Sequence, residues 1–136
     1  HVYHANGHLE KVYENALSHR LRKVGIEVKQ QHQLKVYDED GAEIGEYFAD
    51  LFVDNRLIVE LKAAKAIADE HIAQVLGYLK ASRIEHGLLI NFGSYRFQIK
   101  KYILSQGQAA EESSGRLAGF LPFLSAFFAF SRGSMN

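Results

Sequence analysis

Apolar positions recur with helical spacing in two stretches of the chain. Over residues 9–24 they fall three and four positions apart, and Gly25 follows directly as a signal that ends a helix. The same spacing returns over residues 68–80, where Asp69 and Glu70 stand at the helix end that favours negative charge. The pattern therefore predicts two amphipathic helices that each bury one face.

Further stretches have the patterns of β-strands. Most of them mix apolar and polar positions between turn signals, and one is a short, continuous apolar run that is typical of a strand buried on both faces. The predicted strands cover residues 26–37, 43–53, 57–62, 87–92 and 95–103. One helix, three strands, a second helix and two more strands predict an α/β fold.

The connection between the second and third strands predicts which residues face each other. If residues 54–56 form a three-residue hairpin loop, Leu51 pairs with Val59 and Asp50 pairs with Glu60. The apolar pair then shares one face of the sheet and the two carboxylates share the other. A two-residue loop would set Asp50 opposite Val59 and mix the faces, so hydrophobic patterning favours the first register.

Composition narrows the class of protein. The chain has 136 residues, of which 47% are hydrophobic and 24% charged, as in a single globular domain. It contains no cysteine, which excludes disulfides, thiolate metal sites and cysteine catalysis and fits a cytoplasmic location. Basic and acidic residues number 16 each, so the formal net charge is zero and attraction to nucleic acid would need a local basic cluster.

Charged residues inside an apolar strand mark a candidate site. Glu60 and Lys62 are two positions apart on the third strand, so they project from the same face. Charged residues are uncommon in such an apolar strand unless they are paired or have a function. Asp50 joins them through the predicted register. On the following helix, Gln74 and Tyr78 are four residues apart and share a face.

These residue types suit one kind of chemistry. Two adjacent carboxylates repel each other, and a divalent cation such as Mg²⁺ or Mn²⁺ removes that penalty. A neighbouring lysine can stabilise developing charge or orient a water molecule, so the group predicts metal-assisted hydrolysis of a phosphodiester. The competing interpretation is that Glu60 and Lys62 are solvated strand positions, because acid-X-lysine triplets are common. The addition of Asp50, Gln74 and Tyr78 favours a site.

Five sequence blocks, found in order, resemble one protein family. Residues 7–13 (GHLEKVY) have the pattern that names the GxxExxY proteins. The other blocks are 45–50 (GEYFAD), 59–62 (VELK), 73–79 (AQVLGYL) and 87–93 (GLLINFG). The chain resembles this family over about residues 2–104, and the family looks like a compact branch of the PD-(D/E)XK nuclease superfamily.

The resemblance implies a restriction-endonuclease-like αβββαβ core, with a mixed central sheet flanked by helices and Mg²⁺ at one edge. Lys62 would be the catalytic lysine, and Gln74 with Tyr78 would match the helix motif that supports this lysine and the nucleic-acid backbone. The implied metal ligands are three carboxylates and one carbonyl, those of Glu10, Asp50, Glu60 and Leu61. Helical spacing alone makes Glu10 a surface glutamate, so its role rests on the resemblance.

Basic residues supply candidate contacts to phosphate groups. They are Lys65, Lys80, Arg83, Lys100 and Lys101. Such contacts would give salt-dependent DNA binding without sequence preference, whereas the alternative is an ordinary solvated face. The sequence shows no zinc-finger, helix-turn-helix or RNA-recognition signature that would serve to recognise bases.

Histidines provide weaker candidates. His1, His4 and His8 have the spacing of metal ligands, but a disordered terminus is the preferred interpretation. We interpret His71 as a polar residue at a helix start, within reach of a phosphate.

The chain divides into three segments. We predict a PD-(D/E)XK nuclease-like domain at residues 1–104, a flexible linker at 105–119 and an apolar aromatic tail at 120–136. The apolar run 117–130 is shorter than the ~20 residues that span a membrane, and it contains Pro122. We expect it to pack on the domain or on a second copy of the chain, giving a homodimer.

The leading hypothesis is a Mg²⁺-dependent nuclease that acts on DNA. One alternative is a nuclease-like nucleic-acid-binding module without turnover, in which the same carboxylates hold a structural metal. The intact trio Asp50, Glu60 and Lys62 argues against it, since such a module need not keep all three. The other alternative is a small interaction protein whose aromatic tail docks a partner.

Overall fold

The computed structural model describes residues 2–95, 97–105 and 108–111. They contain two helices and six strands, and the first seven elements follow in the predicted order. In chain order the elements are α1 (Val2–Lys23), β1 (Val28–Tyr37), β2 (Glu43–Val53), β3 (Leu57–Lys62), α2 (Asp69–Ser82), β4 (His86–Asn91), β5 (Gln98–Ser105) and β6 (Gln108–Glu111). Helix α1 begins at Val2, before the predicted start at residue 9.

The six strands form one sheet in the order β1-β2-β3-β4-β5-β6. β3 and β4 are parallel, and α2 is the crossover between them, whereas every other neighbouring pair is antiparallel. This mixed sheet flanked by helices confirms the predicted restriction-endonuclease-like fold class. In the described part of the chain, neither helix is long and apolar enough to cross a bilayer.

Two hydrophobic clusters cover the two faces of the sheet. The α1-side cluster consists of Tyr13, Leu17, Leu21, Val28, Leu51, Val53, Leu57, Val59, Leu61, Leu88, Ile90 and Phe92. The α2-side cluster consists of Leu34, Ala49, Phe52, Ile58, Val75, Tyr78, Leu79, Leu89 and Tyr102. Because alternate residues of β3 and β4 enter opposite clusters, these central strands are buried on both faces.

Strand β1 changes faces halfway along its length. Val28 belongs to the α1-side cluster, whereas the His32 ring stacks on Phe52 of the α2-side cluster at 4.5 Å between centroids. A regular strand would place residues 28 and 32 on the same face. Gln31 lies between them with φ of 50°, a left-handed conformation that turns the strand over. The flanking pairs of the β1–β2 ladder place Gln31 opposite Asp50.

Strand β6 lies inside the segment predicted as a linker. Residues 108–111 pair antiparallel with β5, so the prediction of a flexible linker is wrong there. Their short polar and alanine sequence, QAAE, has no alternation that would mark a strand. The predicted aromatic tail at 120–136, with its packing and the homodimer that depends on it, lies outside the described residues.

Candidate active site

The β2–β3 hairpin has the register that the sequence predicts. Residues 54–56 form the loop, Val53 pairs with Leu57, and Leu51 pairs with Val59. All four apolar side chains enter the α1-side cluster, so hydrophobic burial fixes the register. The prediction of a three-residue loop is therefore confirmed.

Asp50 and Glu60 meet just beyond the last paired residues of this hairpin. The backbone N–H of Asp50 donates to Oε1 of Glu60 at 3.0 Å, and the N–H of Leu61 donates to Oδ2 of Asp50 at 2.8 Å. Each carboxylate thus accepts a hydrogen bond from a backbone N–H of the opposite strand, as a backbone carbonyl does in a regular ladder. This exchange holds the two acids together where the strands separate.

Burial makes ionisation of this acidic pair costly. Glu60 is 3% exposed, and burial, followed by the charge of Asp50, raises its pKa to about 9. Burial also raises the pKa of Asp50, against the opposing hydrogen bonds from Leu61 and Gln31. The positive charge of Lys62 lowers both pKa values but does not reverse either shift. The carboxylates of Asp50 and Glu60 repel each other, and the charge of Lys62 does not fully offset this repulsion. Such a pair of oxygen donors fits a divalent cation.

Lys62 stands at the end of β3, beside the loop that follows β4. It pairs with Asn91 in the parallel ladder, and its carbonyl accepts a hydrogen bond from the N–H of Phe92 at 2.8 Å. The side chain is half-buried and on the same face of β3 as Glu60. The sheet therefore fixes the backbone of the lysine beside the acidic pair.

Helix α2 brings its predicted residues to the same face. Nε2 of Gln74 donates to the hydroxyl of Tyr78 at 2.9 Å, and Tyr78 is buried. Burial, followed by the charge of Glu60, raises the pKa of Tyr78 to about 12. Nδ1 of His71 accepts a hydrogen bond from the N–H of Ala68 at 3.0 Å. The interpretation of His71 as a helix-start residue is confirmed.

Glu10 reaches the end of β3 from helix α1. Its Oε1 accepts a hydrogen bond from the N–H of Ala63 at 3.1 Å, one residue beyond Lys62. Among the side chains that the structure describes, no three His, Asp or Glu residues converge closely enough to hold a metal ion. The structure thus brings Asp50 and Glu60 together and places Glu10 at the neighbouring backbone.

Glu14 is a buried acid that the sequence analysis did not single out. It is 2% exposed and accepts hydrogen bonds from Lys11 at 2.7 Å, Gln30 at 2.7 Å and Gln31 at 2.5 Å. Its position in the sequence indicates this burial, because Glu14 lies three residues before Leu17, on the apolar face of the helix. An acid on that face requires partners, and the polar start of β1 supplies them.

The loop that follows Lys62 is held by Asn91, which is completely buried. Its Oδ1 accepts from the N–H groups of Ala64 at 2.9 Å and Gly93 at 3.1 Å, and its Nδ2 donates to the Ala64 carbonyl and to Gln98, each at 2.9 Å. A Cβ at Gly93 would lie 2.3 Å from the Ala64 nitrogen, so only glycine fits this contact.

The GxxExxY block contributes to the same corner of the molecule. Tyr13 stacks on Phe92 with a ring separation of 4.2 Å and an interplanar angle of 5°. Both rings are buried in the α1-side cluster. Tyr13 and Glu10 therefore attach helix α1 to the ends of β4 and β3.

The three predicted phosphate contacts that precede β4 lie at opposite ends of the sheet. Lys65 is exposed in the connection just after Lys62. Lys80 is near the end of α2 and Arg83 follows it, so both lie where the parallel strands β3 and β4 begin. Of these three, only Lys65 follows the end of β3 that carries Lys62.

The two predicted contacts on β5 point in opposite directions. Lys100 pairs with Leu89 of the α2-side cluster, and Lys101 pairs with Leu88 of the α1-side cluster. Lys100 also lies 3.8 Å from a carboxylate oxygen of Glu111. The five predicted cations therefore do not form one surface, and the side chains of His1, His4 and His8 lie outside the described part of the structure.

Comparison with known proteins agrees with the fold. A family model for the PD-(D/E)XK nuclease superfamily matches residues 1–102, and the chain belongs to this superfamily. Its structure is similar to the crystal structure of an alkaline exonuclease (LHK-Exo) from Laribacter hongkongensis, with a TM-score of 0.51 and 13% sequence identity. The similarity covers 97% of this chain and 69% of that chain. No curated protein matches the sequence.

Membership of the superfamily supports nuclease activity, that is, hydrolysis of a nucleic-acid substrate. PD-(D/E)XK nucleases generally use divalent metals, which agrees with the donor chemistry of Asp50 and Glu60. The narrower assignment to the GxxExxY proteins stays a prediction.

Proposed function

We propose that this chain is a Mg²⁺-dependent deoxyribonuclease of the GxxExxY type that acts in the cytoplasm. The observation that supports it best is the pair of buried Glu60 and half-buried Asp50, held by reciprocal backbone hydrogen bonds next to Lys62. Buried acids that repel each other are costly in a structural role, and a cation-dependent function accounts for them.

The proposed cation site combines the acidic pair with two further oxygen donors from the predicted set. Asp50 and Glu60 would hold Mg²⁺, or Mn²⁺ in its place, with Glu10 and the carbonyl of Leu61 as the remaining donors. When bound, the cation would supply Lewis-acid polarisation of the phosphate. The two carboxylates are already fixed by backbone donors, whereas Glu10, held by the N–H of Ala63, would have to move towards them to join the same cation.

Lys62 is the proposed group for stabilising charge on the phosphate. Its backbone is fixed between Asn91 and Phe92, and its ammonium group lies on the face of the acidic pair. A preorganised positive charge lowers the barrier when negative charge develops on the phosphate oxygens. Tyr78 accepts a hydrogen bond from Gln74, so its own hydroxyl hydrogen is directed elsewhere and serves as a donor to the phosphate backbone.

Phosphate contacts outside the site would come first from Lys65, which is exposed in the loop after β3. Lys100 and Lys101 on β5, Lys80 on α2 and Arg83 just after this helix would contact more distant parts of a DNA strand. These contacts carry no base information, which agrees with binding that is not sequence-specific.

A cleavage assay tests the proposal. The purified chain is incubated with single-stranded, duplex and branched DNA, and with RNA, in Mg²⁺, Mn²⁺ or EDTA. We expect cleavage of DNA in either metal, no cleavage in EDTA, and no cleavage by the Glu60→Gln variant. Lys29→Ala is the control, because Lys29 is exposed at the far end of the hairpin, where it contacts Asn55.

Other outcomes of this assay would contradict the proposal. Metal-dependent DNA binding without cleavage would support the catalytically silent binding module. Cleavage of RNA alone would show that the substrate assignment is wrong. Cleavage that persists in EDTA would show that the metal assignment is wrong.

A further inference from the structure

Gln31 links a buried acid on α1 to the acidic pair on the sheet. Its Nε2 donates to Oε1 of Glu14 at 2.5 Å and approaches Oδ1 of Asp50 at 3.3 Å. A side-chain amide nitrogen carries two hydrogens, so one is available for each carboxylate. Because each acid accepts from the same neutral group, Gln31 fixes their relative position.

The backbone of Gln31 has the conformation that this link requires. Gln30 and Gln31 are consecutive in β1, and a regular strand would direct them to opposite faces. Both nevertheless donate to Glu14, because Gln31 has φ of 50°. Positive φ is uncommon and costly for a residue with a side chain, and such residues concentrate at functional sites.

Glu14 acts as the fixed end of the link. Its two carboxylate oxygens accept hydrogen bonds from Lys11, Gln30 and Gln31, and it is 2% exposed. Its acceptor capacity is thus used within the protein, and its position is set by the packing of α1 on the sheet. A donor attached to Glu14 is therefore held in a defined place.

Asp50 is the oriented end. Oδ2 accepts from the N–H of Leu61 at 2.8 Å, and Oδ1 faces Gln31. With one donor on each oxygen, rotation of the carboxylate about its bond to Cβ is restricted. The remaining lone pairs of the Asp50 oxygens therefore point in a fixed direction, where they can bind a cation.

We infer that Gln31 is a positioning residue that orients the Asp50 carboxylate towards a divalent cation, with Glu14 as its anchor. This inference rests on the proposed function, since it concerns the same cation site. Partners that orient metal-binding carboxylates contribute strongly to affinity, and their loss typically weakens it by about 10- to 100-fold.

Gln31→Asn and Gln30→Asn form a matched pair that tests the inference. Asparagine tolerates positive φ and keeps an amide, but its side chain is one methylene shorter. Both variants shorten a donor to Glu14, whereas only Gln31→Asn affects the contact with Asp50. Mn²⁺ affinity is measured in the absence of DNA by electron paramagnetic resonance, alongside thermal unfolding.

We expect Gln31→Asn to raise the Mn²⁺ dissociation constant by about 10- to 100-fold, and Gln30→Asn to raise it much less, because only Gln31 also contacts Asp50. Both should lower the unfolding midpoint, since both weaken the anchoring of Glu14. A second variant, Gln31→Gly, accepts the backbone conformation and removes the amide, so it should show the same loss of affinity without added backbone strain.

Equal Mn²⁺ affinities in the Gln31 and Gln30 variants would overturn the inference and leave Gln31 a structural residue. A parent chain that binds no Mn²⁺ would overturn it as well. A parent chain that binds Mn²⁺ in a Gln31-dependent way but cleaves no nucleic acid would support the inference and contradict the proposed nuclease function. The two failures are therefore distinguishable.

Discussion

The backbone N–H of Asp50 donates to the side chain of Glu60 at 3.0 Å, so one acid of the candidate site is held by the peptide of the other. Burial and the proximity of Asp50 together raise the pKa of Glu60 to about 9. The folded chain without a cation therefore favours a protonated Glu60. This relationship links the stability of the fold to both pH and metal.

The metal-free chain should lose stability as pH rises from about 4.5 to about 9. Unfolding returns the pKa of Glu60 from about 9 to its ordinary value of 4.5, so in this interval the folded chain binds more protons than the unfolded chain. The stabilising contribution is complete below pH 4.5 and is lost as pH rises through about 9. Thermal unfolding in EDTA across this range measures the slope.

Glu60→Gln should flatten this pH dependence, because glutamine remains neutral and its side-chain oxygen can still accept from Asp50. Glu27→Gln is the control, since Glu27 is exposed. Mg²⁺ added at alkaline pH should raise the unfolding midpoint of the parent and have little effect on Glu60→Gln. The same slope in the parent and in Glu60→Gln would show that another group dominates the titration.

Lys62→Ala should reduce DNA cleavage by about 10²–10³-fold, the usual cost of losing one preorganised charge-stabilising group. The fold and Mg²⁺ binding should be retained, because the cation is assigned to Asp50 and Glu60. Glu60→Gln should instead weaken Mg²⁺ binding itself, which calorimetry can measure. Cleavage at the parental rate by Lys62→Ala, under matched metal concentrations, would remove the lysine from the mechanism.

Gly93→Ala should destabilise the chain by about 1–3 kcal/mol, as expected for overpacking against backbone. The added Cβ would lie 2.3 Å from the nitrogen of Ala64 and 2.5 Å from the carbonyl carbon of Ala63, and neither atom can move without displacing the end of β3. Cleavage should fall because Lys62 precedes these residues directly. Urea denaturation and the cleavage assay measure the two effects.

Gly77→Ala provides the matched comparison, because no atom lies within 4 Å of an added Cβ at this position in α2. Alanine has the higher helix propensity, so this variant should gain about 0.5–1 kcal/mol. If both glycine variants were neutral, close packing between the β3 and β4 ends would not position the site.

Lys65→Ala should reduce the salt dependence of DNA binding, lowering the slope of log affinity against log salt by about one unit. The reason is that Lys65 is exposed directly after the end of β3 that carries Lys62. Arg83→Ala should change the slope less, since Arg83 follows α2 at the opposite end of the parallel strands. Fluorescence anisotropy at several salt concentrations measures both slopes. A larger change of slope in Arg83→Ala than in Lys65→Ala would show that DNA crosses the other end of the sheet.

The register of the β2–β3 hairpin was predictable from the positions of its two acids. A two-residue loop would set Asp50 opposite Val59 and mix the faces, whereas the three-residue loop pairs Leu51 with Val59 and satisfies the pattern. The helical spacing of Gln74 and Tyr78 likewise predicted their contact.

The reversal of β1 was not predictable from the pattern. Residues 30–33 read Q-Q-H-Q, and four consecutive polar positions contain no alternation that would reveal a change of face. The burial of Glu14 depends on this reversal, since it is the left-handed backbone of Gln31 that brings a second amide to it. Glu14 and its partners therefore emerge only once the strands are packed.

The same reversal passes the β1–β2 hairpin from the α1 side of the sheet to the α2 side. There Leu34 is buried and Tyr47 packs on Tyr78 at 4.9 Å between ring centroids, whereas the tip, residues 38–46, is exposed and closed by the Asp38–Ala42 hydrogen bond. The hairpin tip is therefore a place where a second domain can be grafted without rebuilding the catalytic edge. A DNA-binding module fused at this tip would add sequence preference to the chain and leave Asp50 and Glu60 in place.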